Sequence, residues 1–268
     1  MSETGSSSSI TRVRVKCRTL DGRSNADEAV DSRQVRVDGF SQRDYSKATV
    51  TLIGGGGIVS EIAEGCVRKG IGTAKILDGD DVHITNLNRQ KFSHSDIGRN
   101  KAIQLARNLR DDGYLGSVIE GYPYYFEEAL EKGVSPSSDL IVCGVDNDAS
   151  RVFASRYAVK LEIPAVFVAV SRDANQGYVF VQEPGHACFG CAFPQAVSDD
   201  EKPCPGTPAI KDILKVVGGI ALYAIDTILT ARRRCWNFRM VYLSGFVPDN
   251  CTEIARKDSC AICSLRKE

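Results

Sequence analysis

The 268-residue sequence has no excess charge of either sign and no long apolar run. Its 34 Lys and Arg residues balance 34 Asp and Glu residues, which excludes a broad basic field, so we expect no nucleic-acid partner. The longest apolar run, residues 216–225, is shorter than the roughly 18 to 20 residues that span a bilayer, and the first residues lack an apolar signal core. We therefore expect a cytoplasmic protein with no membrane partner.

Cysteine is plentiful, although this location disfavours disulfides. Two of the ten cysteines stand as Cys188-x-x-Cys191 and two more as Cys260-x-x-Cys263. Each pair can present two thiolates to one tetrahedral ion, and four thiolates are typical of a closed, structural Zn²⁺ site. The alternative is four thiols without a metal.

Apolar patterning favours one large domain after a flexible arm. Residues 1–27 are polar and aperiodic, and we predict that they form a mobile arm, with a weak helical segment at 27–37. Residues 28–268 form the domain. Short apolar runs alternate with helical patterns, which predicts a Rossmann-like, doubly wound α/β fold with a mostly parallel sheet, helices on both faces and a zinc-knuckle C-terminal part. The predicted strands are 49–53, 74–77, 139–142, 165–170, 178–181 and 240–243, and the predicted helices are 58–69, 101–109, 126–132, 149–161 and 209–233.

A glycine cluster separates the first predicted strand from the first long helix. Gly54 and Gly56 match the first two positions of G-x-G-x-x-G, Gly57 follows, and Val59 takes the place of the third glycine. Such a loop lets the backbone approach a phosphate, and Asp78 after the next strand can bind ribose hydroxyls. These residues alone leave open a dinucleotide-dependent oxidoreductase or a glycine turn without a ligand.

Polar and cationic residues follow Asp78 closely. Asp80 belongs to the same acidic cluster, and Lys101 follows a Gly-Arg turn. Cations beside an adenosine pocket suit a triphosphate better than a dinucleotide, which needs little more than a helix N-terminus. The other residues of this group are Asn86, Arg89 and Gln90 in NLNRQ.

These motifs occur in the order and at nearly the spacing of a known family. GGGG at 54–57, LDGDDV at 77–82, NLNRQ at 86–90, GRNK at 98–101 and CGVDN at 143–147 resemble the ThiF/MoeB superfamily of ubiquitin-activating-type adenylyltransferases. The resemblance covers about residues 30–263.

The resemblance implies a role for each matching residue. Asp78 would hold the ribose of ATP, and Asp146 would coordinate Mg²⁺. Arg33 would reach the triphosphate of a second protomer, which implies a homodimer. The four paired cysteines match a zinc site that is common in the family. The triphosphate would be bound by Asn86, Arg89, Gln90 and Lys101.

The resemblance also implies a substrate. We expect adenylation of the C-terminal carboxylate of a ubiquitin-like protein, with glycine as its last residue because a narrow channel favours a residue without Cβ. Cys204, in a crossover loop at about 192–208, would accept the acyl group as a thioester and pass it to a conjugating enzyme or a sulfur donor. Alternatives are a short peptide or small-molecule substrate, and a catalytically inactive partner subunit stiffened by zinc.

Overall fold

The computed structural model describes residues 10–20, 29–134, 137–198 and 209–264. Within these residues nine strands form one mixed sheet with the order β1-β4-β3-β2-β5-β6-β7-β8-β9. The five strands from β4 to β6 run parallel, and antiparallel strands extend the sheet at both edges. The strands are β1 Val13–Lys16, β2 Thr49–Ile53, β3 Thr73–Leu77, β4 Val118–Tyr122, β5 Leu140–Cys143, β6 Ala165–Val170, β7 Gln176–Gln182, β8 Phe238–Tyr242 and β9 Asn250–Thr252.

Helices cover both faces of this sheet. Side chains alternate along each strand, so Leu52 packs in the core under the helices of one face and Ile53 in the core under the other. The first face carries α1 Gln42–Tyr45, α2 Gly57–Arg68, α3 Lys101–Leu109 and α8 Lys211–Leu229, and the second carries α4 Phe126–Glu131, α5 Asp148–Leu161, α6 Phe189–Ala192 and α7 Gln195–Ser198. The predicted Rossmann-like fold class is confirmed.

The predicted mobile arm is wrong for part of residues 1–27. Val13 and Val15 pack against the core while Arg14 and Lys16 are exposed, and the segment pairs with β4 as β1. β4 itself was not predicted, because Glu120 and Gly121 interrupt its apolar run. A Cβ at Gly121 would collide with the backbone of Ala102 on α3, so this glycine lets helix and sheet pack closely.

The weak helix expected at 27–37 is not formed over its described part, which holds a single 3₁₀ turn at Gln34–Arg36. Val30, Val35 and Val37 are all exposed, so the segment has no apolar face to bury as a helix. Instead, Gln34 Nε2 donates to the backbone oxygen of Lys69 at 3.1 Å. This segment is held by polar contacts to the end of α2.

Helix α8 begins two residues later and ends four residues earlier than predicted. Its end is set by Asp226, whose backbone oxygen accepts from the hydroxyl of Thr230 at 2.7 Å and whose carboxylate pairs with Lys69 and Arg232. The expected loop at 192–208 contains the short helix α7 in its described part. None of the helices in the described residues is long and apolar enough to cross a membrane.

Candidate nucleotide-binding and metal sites

The glycine turn between β2 and α2 opens toward the carboxyl ends of the parallel strands. Gly54 has φ +98°, a backbone conformation that side chains strongly disfavour. A Cβ at Gly57 would lie 2.5 Å from the Leu214 side chain, whereas a Cβ at Gly56 would meet nothing within 4 Å. Gly54 is therefore favoured by its backbone conformation, and Gly57 by its close contact with Leu214 of α8. At Gly56 the turn faces open space.

Val59 occupies the position where the G-x-G-x-x-G pattern has its third glycine. In that pattern the third glycine allows helix and strand to pack closely. Val59 is fully buried, and its Cγ2 lies 2.5 Å from the position a Cβ of Gly144 would take. The residue without a Cβ is thus Gly144, directly after β5, and not a residue of α2. Helix and sheet still pack closely because Val59 fills the space beside this glycine.

Asp78 is held firmly at the end of β3. Its Oδ2 accepts from the backbone N–H of Gly55 at 2.5 Å, and its Oδ1 accepts from the N–H of Asp80 at 2.8 Å. Burial raises the pKa of the Asp78 carboxyl, although the Lys101 cation and these N–H groups act in the opposite direction. Its position beside the glycine turn fits an acceptor for ribose hydroxyls.

A cavity of about 640 Å³ lies beside this turn, within the range of small-molecule sites. It is lined by nearly all of the residues that the sequence placed in a nucleotide site. The predicted members are Gly54, Gly56, Gly57, Asp78, Asp80, Asn86, Arg89, Gln90, Lys101 and Asp146.

Lys101 is paired with an acidic residue of the same cavity. Its Nζ donates to Asp80 Oδ2 at 2.7 Å, and the Tyr125 hydroxyl donates to Asp80 Oδ1 at 2.5 Å. The bond to Asp80 raises the pKa of Tyr125 to about 12, so the phenol keeps its proton. A phosphate at Lys101 would have to compete with Asp80. Tyr125 was not predicted, since it follows β4, which the sequence pattern did not reveal.

The three predicted site residues of NLNRQ differ in their contacts. Asn86 Oδ1 accepts from the backbone N–H of His83 at 2.8 Å and so helps to form the turn. Arg89 Nη1 donates to the carbonyl of Thr85 at 2.5 Å, which holds the guanidinium at the cavity. Gln90 Oε1 is buried and has no hydrogen-bond partner among the described residues. Gln90 is therefore free to bind a ligand donor.

Asp146 lies between β5 and α5, exposed on the cavity wall. Asn147 caps α5 by accepting from the N–H of Ser150 at 2.8 Å. Arg151, which the sequence did not single out, donates from Nη2 to the carbonyl of Val145 at 2.7 Å and from Nη1 to Asp148 at 2.6 Å. This arginine fixes the turn that presents Asp146. Its position in the second turn of a helix gave no sequence signal.

Two predicted residues are not placed in the cavity. Arg33 is exposed beside the 3₁₀ turn and does not line it. Cys204 lies outside the described residues, as does its neighbour Lys202. Their roles stay predictions.

The four paired cysteines come together in a separate cluster. Their Sγ atoms all lie within 4.8 Å of one another, and the contacts Cys188–Cys260, Cys191–Cys263 and Cys188–Cys191 measure 3.3, 3.6 and 3.8 Å. Zn–S bonds of about 2.3 Å place tetrahedral sulfurs about 3.8 Å apart, so the set fits zinc. Burial opposes ionisation of Cys260, but the N–H groups of Cys263 and Ile262 lower its pKa to about 7. The cluster joins the C-terminal segment to α6.

A family model described as the ThiF family matches residues 29–260. The chain therefore belongs to the ThiF family, as its motifs indicated.

The chain is 30% identical over 179 residues to ubiquitin-like modifier-activating enzyme 5 of Arabidopsis thaliana, a match covering 60% of this chain and 41% of that enzyme. It thus spans less than half the length of that relative. It is 26% identical over 231 residues to the sulfur carrier protein adenylyltransferase of Thermus thermophilus, covering 83% and 84% of the two chains. The E. coli MccB structure aligns with a TM-score of 0.72 at 18% identity, over 90% of this chain and 73% of MccB, which shows a shared fold.

Proposed function

We propose that this chain is an ATP-dependent adenylyltransferase that activates the C-terminal carboxylate of a ubiquitin-like protein. The observation that carries the proposal is one cavity that combines buried Asp78 beside the glycine turn with the cations Arg89 and Lys101 and the carboxylate of Asp146. Membership of the ThiF family supports it, as do relatives named as a ubiquitin-like modifier-activating enzyme and a sulfur carrier protein adenylyltransferase. Two cations and the exposed carboxylate of Asp146 in one cavity have no use in a dinucleotide-dependent oxidoreductase.

The proposed reaction brings two anions together. A carboxylate oxygen of the substrate attacks the α-phosphorus of ATP, the bond to the bridging oxygen breaks, and pyrophosphate leaves with that electron pair. The carboxylate is already ionised at neutral pH, so no general base is needed. Arg89 and Lys101 would neutralise the phosphates and align them, while Asp78 would hold the ribose.

Two metal ions fit the residues present. Asp146 offers an exposed carboxylate on the cavity wall, and Mg²⁺ is commonly held by one or two carboxylates together with substrate phosphates. When bound there, Mg²⁺ would neutralise phosphate charge. Zinc at the four-cysteine cluster would have a structural role, because a tetrahedral site of four thiolates leaves no position open.

Several finer features belong to the same proposal. The substrate would end in glycine. Cys204 would attack the carbonyl carbon of the acyl adenylate as a thiolate, forming a thioester and releasing AMP, and a conjugating enzyme or sulfur donor would receive the acyl group. Arg33 would act in the site of a second protomer of a homodimer. Its exposure outside its own cavity supports that placement.

The test is exchange of labelled pyrophosphate into ATP. We expect exchange with a ubiquitin-like protein ending in Gly-Gly and none with the same protein carrying a C-terminal amide. Asp146→Ala should abolish exchange, whereas Asp111→Ala, which removes an exposed carboxylate outside the cavity, should leave it unchanged. Absence of exchange with every ubiquitin-like or sulfur carrier protein, or full exchange in Asp146→Ala, would overturn the proposal.

A further inference from the structure

In the part of the chain that the structure describes, the outer edge of β1 is open. β1 stands first in the strand order and bonds to β4, and no strand among the described residues pairs with its other side. The N–H and C=O groups along such an edge can pair with another extended chain.

A row of cations lies along this edge. Arg12, Arg14, Lys16 and Arg18 are all exposed, at every second position, while the residues between them face the core. Arg12 and Arg14 approach one carboxylate, Glu120, at 3.8 and 3.6 Å. That carboxylate also accepts from the Tyr122 hydroxyl at 2.8 Å. The row therefore carries a net positive charge on one face of the sheet.

We propose that the β1 edge docks an acidic, extended segment of the polypeptide substrate, paired antiparallel to β1. This inference rests on the proposed adenylation of a C-terminal carboxylate. Side chains alternate along a strand, so acidic residues at every second position of the segment would lie opposite Arg14 and Lys16.

The direction of the docked strand leads its C-terminus to the cavity. A segment antiparallel to β1 runs parallel to β4, whose carboxyl end leads into Tyr124 and Tyr125. Tyr125 lines the cavity, and the Tyr124 hydroxyl accepts from the backbone N–H of Thr11 at 2.9 Å. The segment that leads into β1 thus bonds to the residue next to Tyr125.

The sheet spacing sets the length of chain that must follow the acidic segment. Four strand spacings separate an added strand from β2 and its glycine turn, which is about 19 Å at about 4.8 Å each. An extended chain advances about 3.3 Å per residue. The segment must therefore be followed by at least about six residues before the reacting carboxylate.

The first experiment measures binding without catalysis. The probe is a fluorescein-labelled peptide of alternating Thr and Glu, with alternating Thr and Lys as its control. We expect the acidic peptide alone to bind, and Arg14→Glu/Lys16→Glu to weaken binding on the order of tenfold or more. Arg156→Glu/Lys160→Glu, two exposed cations of α5, should bind as the wild type does.

Equal binding by both variants, or no binding to the wild type, would overturn the docking site. Self-association of Arg14→Glu/Lys16→Glu with unchanged peptide binding would also overturn it, since the cations would then protect the edge against pairing with other copies. Thermal melts of both variants establish that they are folded.

The second experiment measures pyrophosphate exchange with Thr/Glu peptides that end in Gly-Gly, with the acidic tract two or about eight residues from the carboxylate. We expect the longer spacer to support exchange with a lower KM, and Arg14→Glu/Lys16→Glu to raise that KM without changing the KM for ATP. Charge-dependent binding with no exchange, either with these peptides or with any ubiquitin-like or sulfur carrier protein, would support the docking site and overturn the proposed function. Exchange that does not depend on the β1 cations would overturn the docking site alone.

Discussion

Arg151 provides a strong test of how the cavity is built, because it acts on Asp146 through the backbone. Its Nη2 donates to the Val145 carbonyl, next to Asp146, and the side chain is 13% exposed. We consider Arg151→Lys, which keeps the charge but cannot hold both Val145 and Asp148 with a planar fork.

The expected stability loss follows from these two bonds. A buried hydrogen bond with a charged donor contributes about 1.5–3 kcal/mol. The pair with Asp148, a side chain 52% exposed, adds at most about 1 kcal/mol because solvent screens it. Lysine can replace at most the exposed pair with Asp148, so we expect the Val145 bond to be lost and the free energy of unfolding to fall by about 1.5–3 kcal/mol.

The loss of activity should exceed what unfolding explains. Partners that orient metal ligands typically contribute about 10–100-fold, so kcat for pyrophosphate exchange should fall by about that factor at a temperature where the variant is folded. The KM for the polypeptide substrate should change little. Urea unfolding and exchange kinetics are measured beside Arg156→Lys, an exposed arginine of the same helix. If Arg151→Lys matches that control in both assays, Arg151 does not position Asp146.

Three further predictions concern the loops and the metal. The Asp96 carboxylate accepts hydrogen bonds from Ser93 and Asn108. Burial acts against its ionisation, but these bonds lower the pKa of Asp96. The stability that the ionised carboxylate contributes is present above the unfolded-state pKa and is lost as pH falls through the folded-state pKa. Asp96→Asn should therefore flatten the acid side of a stability–pH curve measured by urea unfolding, and an unchanged curve would contradict this. Gly54→Ala should lower the free energy of unfolding by about 1–3 kcal/mol, since φ is +98° there, and a difference below about 0.5 kcal/mol would be inconsistent with that strain. Elemental analysis should find one zinc ion per chain, lost in Cys263→Ser and retained in a serine variant of exposed Cys251.

Local patterns were sufficient to predict most of the core. The paired apolar series of α2, with Ile58 and Ile62 as its first members, is buried as expected, and Gly70 ends that helix with φ +80°. β1 and β4 were missed because their burial depends on partners distant in sequence: Arg14 and Glu120 make each strand look polar until the two are paired. Tertiary pairing, not local pattern, decides such strands.

The same distinction between local pattern and folded geometry applies to the residues of the candidate site. The positions of Asp78 and Lys101 at the cavity were predictable, because each residue follows a strand or a turn. Arg151 and Tyr125 were not, since each acts through a neighbour, the Val145 carbonyl and the Asp80 carboxylate. Residues that position others have no fixed spacing to a motif, and the folded geometry is needed to identify them.

In the proposed reaction, a substrate carboxylate attacks the α-phosphorus of ATP in this cavity. The most direct measurement follows oxygen. A Gly-Gly-ended ubiquitin-like protein whose C-terminal carboxylate carries ¹⁸O is incubated with ATP and the enzyme, and the products are analysed by mass spectrometry. When a thiolate or water attacks the carbonyl carbon of the acyl adenylate, the bond from that carbon to the bridging oxygen breaks. One ¹⁸O then remains in the phosphate of AMP, which is the result that we predict. AMP without ¹⁸O, or label in pyrophosphate, would contradict adenylation of the carboxylate.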